Sequence, residues 1–229
     1  LLESSRPQLT GFFPADLGEL TVVLHRSATS LALARPTVPV AWALTAPAAR
    51  RYVAGWTSSQ ELHMLTPAAL EQRASNVPGS REMLALTPVA LYARRLIGAS
   101  NRDLAGRRGP LRWSAQLRWA WMLEGAARWF SGQTEHARPA IARRLREGSQ
   151  PSFPPAMKDA ALLGGTLVDL LAAEEGEQAA VDLASQLDPG GPSTALRKAF
   201  PGRSLAHTEG AWRTHLSRLA SGRLSSRPG

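Results

Sequence analysis

The most informative residue in this chain for chemistry is Glu124, in the segment RWAWMLEGAARWFSGQ at residues 118–133. It is a single acidic residue inside a tryptophan-rich, otherwise apolar pattern that predicts a buried helix. A buried carboxylate without a partner is costly, so Glu124 is expected to be paired, protonated or exposed to solvent. A carboxylate held in this way can ligate a metal or bind a cation, and its neighbours decide which.

The histidines do not form a recognisable metal-binding pattern. The five in the chain are His25, His63, His136, His207 and His215. No two of them stand four residues apart with an acidic residue between them, and the absence of cysteine excludes thiolate ligands and disulfides. We interpret each as a surface or satisfied core histidine. The alternative is a relocated zinc site in which His63 or His136 joins Glu124.

The positive charge comes mainly from arginine. The 27 Lys and Arg residues exceed the 18 Asp and Glu residues, which gives a formal net charge of +9. Aromatic residues do not alternate with a basic run, so we interpret the arginines as a solvated surface and regard nucleic acid as an improbable partner. Binding to nucleic acid or to an anionic surface stays open as an alternative. Phosphate-binding glycine loops and a G-x-S-x-G elbow are absent.

The order of elements indicates an α+β fold, with a small N-terminal β-sheet followed by a mostly helical half. We predict one domain at 1–222, with a sheet-rich part at about 10–79, a helical part at 80–222 and a frayed tail at 223–229. Strands are predicted at Glu19–His25, Arg51–Gly55 and Gln60–Leu65, and Pro39–Ala46 is either a strand or a short helix. No run of 18 apolar residues without a charge is present, so no membrane span is predicted. The start LLESSRPQLT, which lacks Met, indicates an excised or processed segment.

Two predicted helices matter for the chemistry. One covers Arg81–Gly98, where Pro88 either kinks the helix or, with Thr87 as its cap, begins a new one. The second covers Leu111–Phe130 and carries Glu124. Two further helices are expected on either side of Gly176.

This order and four local strings resemble the gluzincin-type zinc metallopeptidases, in particular the peptidase MA-like domain. The strings are AWMLEGAARWFSGQ, FPPAMKDAALLGGTLVDLLAAEEG, GRSLAHTEGAWRTHL and GWTSSQELHMLTP, and the resemblance covers nearly the whole chain. It implies an active-site helix with H-E-x-x-H, whose two histidines bind zinc while the glutamate acts as general base. It also implies a third zinc ligand in the W-L-x-E-G string of the next helix, which is Glu124 here.

The chain departs from that family at the H-E-x-x-H motif. The string PVALY stands at the expected place, with Pro88 for the first histidine, Val89 for the general base and Tyr92 for the second histidine. The predicted helix Arg81–Gly98 contains no histidine, so a shift of register does not restore the motif. We therefore predict a degenerate member without a zinc site, and no cofactor, although active relatives use zinc.

The resemblance predicts a catalytically inactive metallopeptidase homologue that keeps a cleft for a peptide or protein. The cleft is expected to be lined by Gln60, Leu62, Met64, Tyr92 and Glu124. In active relatives the substrate backbone pairs with an edge strand, which we expect here at Gln60–Leu65. An active metallopeptidase with a metal site rebuilt around Glu124 is the alternative.

The partner of Glu124 is a separate question. We expect Tyr92 to donate a hydrogen bond to it, or Arg95 or Arg128 to occupy the space that zinc would fill. The competing expectation is a hydrated Glu124 in an open groove. The resemblance slightly favours an extracytoplasmic bacterial setting, and the sequence leaves the oligomeric state open.

Overall fold

The computed structural model describes residues 1–58, 60–101 and 109–222. The tail predicted at 223–229 lies outside them. The described residues form three strands, Thr21–His25 (β1), Gly55–Thr57 (β2) and Glu61–Leu65 (β3). The helices are Leu2–Phe12 (α1), Ala28–Ala34 (α2), Thr37–Leu44 (α3), Pro47–Arg50 (α4), Pro67–Arg73 (α5), Ser80–Ala85 (α6), Thr87–Ser100 (α7), Gly109–Arg118 (α8), Ala120–Phe130 (α9), Gln133–His136 (α10), Arg138–Glu147 (α11), Met157–Glu175 (α12), Glu177–Ser185 (α13), Pro192–Ala199 (α14) and Leu205–Ala220 (α15).

The α+β class is confirmed, with a small three-stranded sheet followed by a long helical part. All three strands lie within the part predicted as sheet-rich, about 10–79, but they are short, and helices α2–α5 fill much of the remainder. The ambiguous segment Pro39–Ala46 lies mainly in helix α3. None of the helices in the described part of the chain combines the length and hydrophobicity needed to cross a membrane.

The sheet has the order β1-β3-β2, so β3 is its central strand. Strand β1 runs parallel to β3 and β2 runs antiparallel to it, with Val23 and Trp56 both opposite His63. The prediction that Gln60–Leu65 is the edge strand is therefore wrong. The physical reason is visible in the burial of β3, where every residue from Leu62 to Leu65 is buried, as expected for a strand paired on both sides.

The predicted strand Arg51–Gly55 is also displaced. Tyr52 and Val53 instead continue the turn of α4, because their amides donate to the carbonyls of Ala49 and Arg50 at 3.0 and 3.2 Å. Regular pairing begins only at Gly55.

Pro88 begins a helix instead of kinking one. Helix α6 ends at Ala85, and α7 starts at Thr87 with Pro88 in its first turn, where the missing amide hydrogen is not needed. The long helix predicted around Glu124 divides in a similar way at Trp119, between α8 and α9. Trp119 and Trp121 are both buried. Residues two apart point to different faces of a straight helix, so the division lets both indoles reach the interior.

Two glycines allow α9 and α12 to touch backbone to backbone. A Cβ on Gly125 would lie 2.3 Å from the carbonyl carbon of Gly164, and one on Gly164 would lie 2.3 Å from the Trp121 oxygen. Because of this contact, the side of α9 that carries Gly125 faces the core. Glu124 precedes Gly125 by one residue, about 100° around the helix, and is therefore directed to a different side. Helix α12 ends at Glu175, and its C-cap Gly176, with a φ of 94°, separates it from α13 as predicted.

Candidate functional site

Glu124 lies on the wall of a cleft between the start of β2 and helices α7, α9 and α12. The cleft holds about 860 Å³ of empty space, including its part open to solvent. Much of its wall is apolar, and this part includes Ala41, Ala90, Leu91, Leu117, Ala120 and Met157. The ionisable and hydroxyl-bearing side chains of the wall include Thr87, Arg94, Glu124 and Arg128. A mostly apolar concavity with a few polar groups is the usual form of a binding site.

Helix α7 presents one continuous face to this cleft. The face consists of Thr87, Ala90, Leu91 and Arg94, spaced three, four and seven residues from the first. Tyr92 does not line the cleft, and neither does Val89; both are buried elsewhere. The expectation that Tyr92 lines the cleft is therefore wrong, because residues 91 and 92 differ in direction by about 100° on a helix.

The partner of Glu124 is Arg94. Nη1 of Arg94 forms an ion pair with Oε1 of Glu124, and the two side chains are only 16% and 23% exposed. The Arg94 guanidinium carbon also lies 5.7 Å from the ring centroid of Trp56, within the range of a cation–π contact. The prediction that an arginine pairs with Glu124 is confirmed in kind, but the residue is Arg94. No hydrogen bond joins Tyr92 to Glu124 among the described residues, and the purely hydrated alternative is wrong.

A second guanidinium lies behind this pair. Arg128 is buried, and its Nη1 and Nη2 donate to Gln133 Oε1 at 2.8 Å and to the Tyr52 carbonyl at 2.9 Å. Burial lowers the pKa of Arg128, and so does Arg94, while Glu124 acts in the opposite direction. Arginine nonetheless stays protonated at neutral pH. The cleft therefore holds two positive charges and one negative charge.

Two buried polar atoms at the cleft have no hydrogen-bond partner among the described residues. They are Oγ1 of Thr87 and Nε of Arg128. The sequence suggested Thr87 as a helix cap, but the capping position is Leu86, and the Thr87 hydroxyl makes no capping bond. A buried polar group left unpaired costs about 1–3 kcal/mol, so both atoms stand out in a folded chain.

Strand β2 supplies backbone groups beside the cleft. Leu65 N donates to Ala54 O, and Ser58 N donates to Glu61 O. In an antiparallel ladder the inward-bonding residues alternate, so the backbone groups of Gly55 and Thr57 are directed away from β3. These groups form a short edge, and Gly55 itself lines the cleft.

The residues expected from β3 do not reach the cleft. Leu62 and Met64 are buried in the core, and Gln60 is exposed at the turn before β3. The reason is the central position of β3, which directs its side chains into packed layers. The sequence interpretation missed Arg94, Thr87 and Trp56. A helix counted from Thr87-Pro88 would have placed Thr87, Ala90, Leu91 and Arg94 on one face.

The donor set around Glu124 does not fit zinc. It consists of one carboxylate and two guanidinium groups, and it contains no imidazole. Guanidinium groups repel a divalent cation, and structural and catalytic zinc sites need three or four N, O or S ligands. Within the described residues, no group of three or more His, Asp or Glu side chains is arranged to hold a metal. His63 and His136 do not line the cleft, so the structure does not bring them to Glu124.

His63 belongs to a separate polar network. Its Nδ1 lies 3.0 Å from Nε2 of His25, and its Nε2 lies 3.1 Å from Oε2 of Glu61. His25 Nδ1 lies 3.0 Å from Ser30 Oγ, and Arg35 forms an ion pair with Glu61. Burial lowers the pKa of His25, and the positive charges of His63 and Arg35 lower it further. These contacts connect β1, β3 and α2.

The other three histidines do not line the cleft. His215 Nε2 lies 2.8 Å from Asp169 Oδ2, which joins α15 to α12, and His207 is exposed near the start of α15. His136 ends α10, and its carbonyl lies against Gly79. Comparison of the chain with protein-family models, with curated proteins and with solved structures found no match.

Proposed function

We propose that this protein is a catalytically inactive metallopeptidase homologue, of the peptidase MA-like type, that binds a peptide or protein segment in its cleft. The observation that carries the proposal is the ion pair between Arg94 and Glu124. By the sequence resemblance, Glu124 occupies the position of the third zinc ligand. Its cationic partner here is a guanidinium group from α7, the helix that the resemblance makes equivalent to the zinc-binding helix.

The geometry supports a different register for the lost motif. In H-E-x-x-H the two histidines share one helix face, four residues apart. On α7 the face that meets Glu124 carries Ala90, Leu91 and Arg94, which would stand for the first histidine, the general base and the second histidine. This register is two residues later than Pro88, Val89 and Tyr92. Neither register contains an imidazole or a carboxylate, so the proposal of an inactive site holds in both.

Peptide binding is supported by the short edge of β2. The backbone groups of Gly55 and Thr57 are directed away from β3, and the apolar wall of the cleft begins beside Gly55. An extended peptide can add to such an edge through main-chain hydrogen bonds, while adjacent pockets select its side chains. The proposed binding edge is therefore β2, not the predicted Gln60–Leu65.

The test uses an array of extended hexapeptides and two variants at one position. Thr57→Pro removes one edge amide without disturbing the pairing of β2 with β3, because proline is tolerated where the amide faces outward. Thr57→Val keeps the amide and the branched side chain, and serves as the matched control. We expect Thr57→Pro to weaken peptide binding about tenfold, and Thr57→Val to change it less than about twofold. Absence of binding to the wild-type protein, or equal binding by both variants, would refute the proposal.

The metal part of the proposal has its own measurement. Elemental mass spectrometry of the purified protein, dialysed without chelator, is expected to find far less than one zinc per chain. One zinc per chain would mean that a ligand set exists which the Arg94–Glu124 geometry does not explain. Substitution of Glu124, His63 and His136 would then identify the residues that hold it.

A further inference from the structure

The charge balance of the cleft points to the kind of group that enters it. Arg94 and Arg128 contribute two positive charges, and among the residues that the structure describes Glu124 is the only acidic one in the wall. We propose that the cleft binds the C-terminal carboxylate of a peptide, held by Arg94. This inference rests on the peptide-binding function proposed above and specifies which end of the peptide is recognised.

Arg94 is suited to receive a second carboxylate. A guanidinium group has five N–H donors, and the ion pair with Glu124 uses Nη1. The contact with the Trp56 ring restricts the guanidinium plane, so its fork is oriented before a ligand arrives. Oriented arginine forks bind carboxylates in a bidentate manner, which lysine cannot do. Glu124 then acts as an internal competitor for the same guanidinium.

Arg128 strengthens the preference for an anion without needing to touch it. Its two terminal nitrogens are fixed by Gln133 and the Tyr52 carbonyl, so its charge stays at the base of the cleft.

The net charge of the cleft favours a ligand group with one negative charge. Among the described residues of the wall, one excess positive charge matches one carboxylate, whereas a phosphate dianion would leave the cleft with a net negative charge. The apolar wall formed by Ala41, Leu91, Leu117 and Met157 suits an apolar last side chain. Strand β2 has only three residues, so it offers few backbone bonds, as fits the end of a peptide more than its middle.

The experiment compares two pools of fluorescein-labelled hexapeptides that differ only in their last group. One pool ends in a carboxylate and the other in a carboxamide, each after an apolar residue, and binding is followed by fluorescence anisotropy. We expect wild-type protein to bind the carboxylate pool about tenfold more tightly, the effect of one charge-assisted hydrogen bond. The double variant Arg94→Gln/Glu124→Gln removes the proposed carboxylate-binding group together with its ion-pair partner, and it is expected to lose most of this preference, because only the charge of Arg128 then remains at the base of the cleft. Glu124→Gln alone is expected to bind the carboxylate pool more tightly than wild type does, because the internal competitor is neutral.

The matched control removes a surface pair of the same kind. Arg143→Gln/Glu147→Gln deletes an exposed Arg–Glu pair on α11 and is expected to leave the preference for the carboxylate unchanged. Equal binding of both pools by wild-type protein would overturn the inference while the proposed function stands. Binding of neither pool would overturn the proposed function as well. If the double variant does not fold, Glu124→Gln decides, since a purely structural role for Glu124 predicts no gain.

Discussion

The contact between α9 and α12 can be tested with a single methyl group. In Gly125→Ala the new Cβ would lie 2.3, 2.6 and 2.7 Å from the C, O and Cα atoms of Gly164. All three are backbone atoms, so no flexible side chain can move aside and the two helices must separate. Overpacking of this kind costs about 1–3 kcal/mol, and the direct backbone clash places it at the upper end. The higher helix propensity of alanine returns about 1 kcal/mol, so the net loss is about 2 kcal/mol.

The assay is equilibrium urea unfolding followed by circular dichroism, with Gly98→Ala as the control. Gly98 lies inside α7, and a Cβ there would meet no atom of the described residues within 4 Å. The control is expected to stabilise the protein by about 0.5–1 kcal/mol, through helix propensity and a less disordered unfolded state. Gly125→Ala should thus lower the unfolding free energy while Gly98→Ala raises it. If both substitutions change it by the same amount and in the same direction, the close contact does not position Glu124 as argued.

Two further predictions concern buried charges. Asp159 is fully buried and accepts two hydrogen bonds from Arg144, at 2.6 and 2.8 Å. Asp159→Ala should therefore lower the free energy of unfolding by about 3–5 kcal/mol, because it leaves a buried guanidinium group unpaired. A loss under about 1 kcal/mol in the same urea assay would contradict this. The pKa of His25 is lowered in the folded protein, so the unfolded chain takes up the proton more readily. The free energy of unfolding should therefore fall as the pH drops below about 6.5, down to the folded-state pKa of His25. In His25→Asn this fall should shrink when unfolding is measured between pH 7.5 and 5, and an unchanged profile would assign the effect to other groups.

Local features of this chain could be predicted from the sequence alone. The α+β order, the small sheet, the helix break at Gly176 and the position of Glu124 on a helix all follow from periodicity and from residues that begin or end helices. These features depend on neighbours within a few positions. The need for a partner at Glu124 was equally readable, because it follows from the cost of burying a carboxylate.

The identity of that partner depended on the rotation of α7 about its axis. Each residue turns a helix by about 100°, so an error of two positions replaces Arg94 with Tyr92 as the side chain opposite Glu124. The start of α7 at Thr87 and its packing against α9 fix this rotation. Both are properties of the assembled fold.

In the sheet, too, the strands could be predicted from the sequence, but their pairing could not. Sequence patterns placed strands close to β1 and β3, yet they do not say which strands become neighbours. Pairing of β1 with β3 joins residues about 40 positions apart, and this contact makes β3 central and leaves β2 as the edge beside the cleft. The sequence by itself therefore determined the elements and the carboxylate that needs a partner. Only the tertiary structure decided the edge, the arginine and the cleft, because long-range packing selects among registers that are locally equivalent.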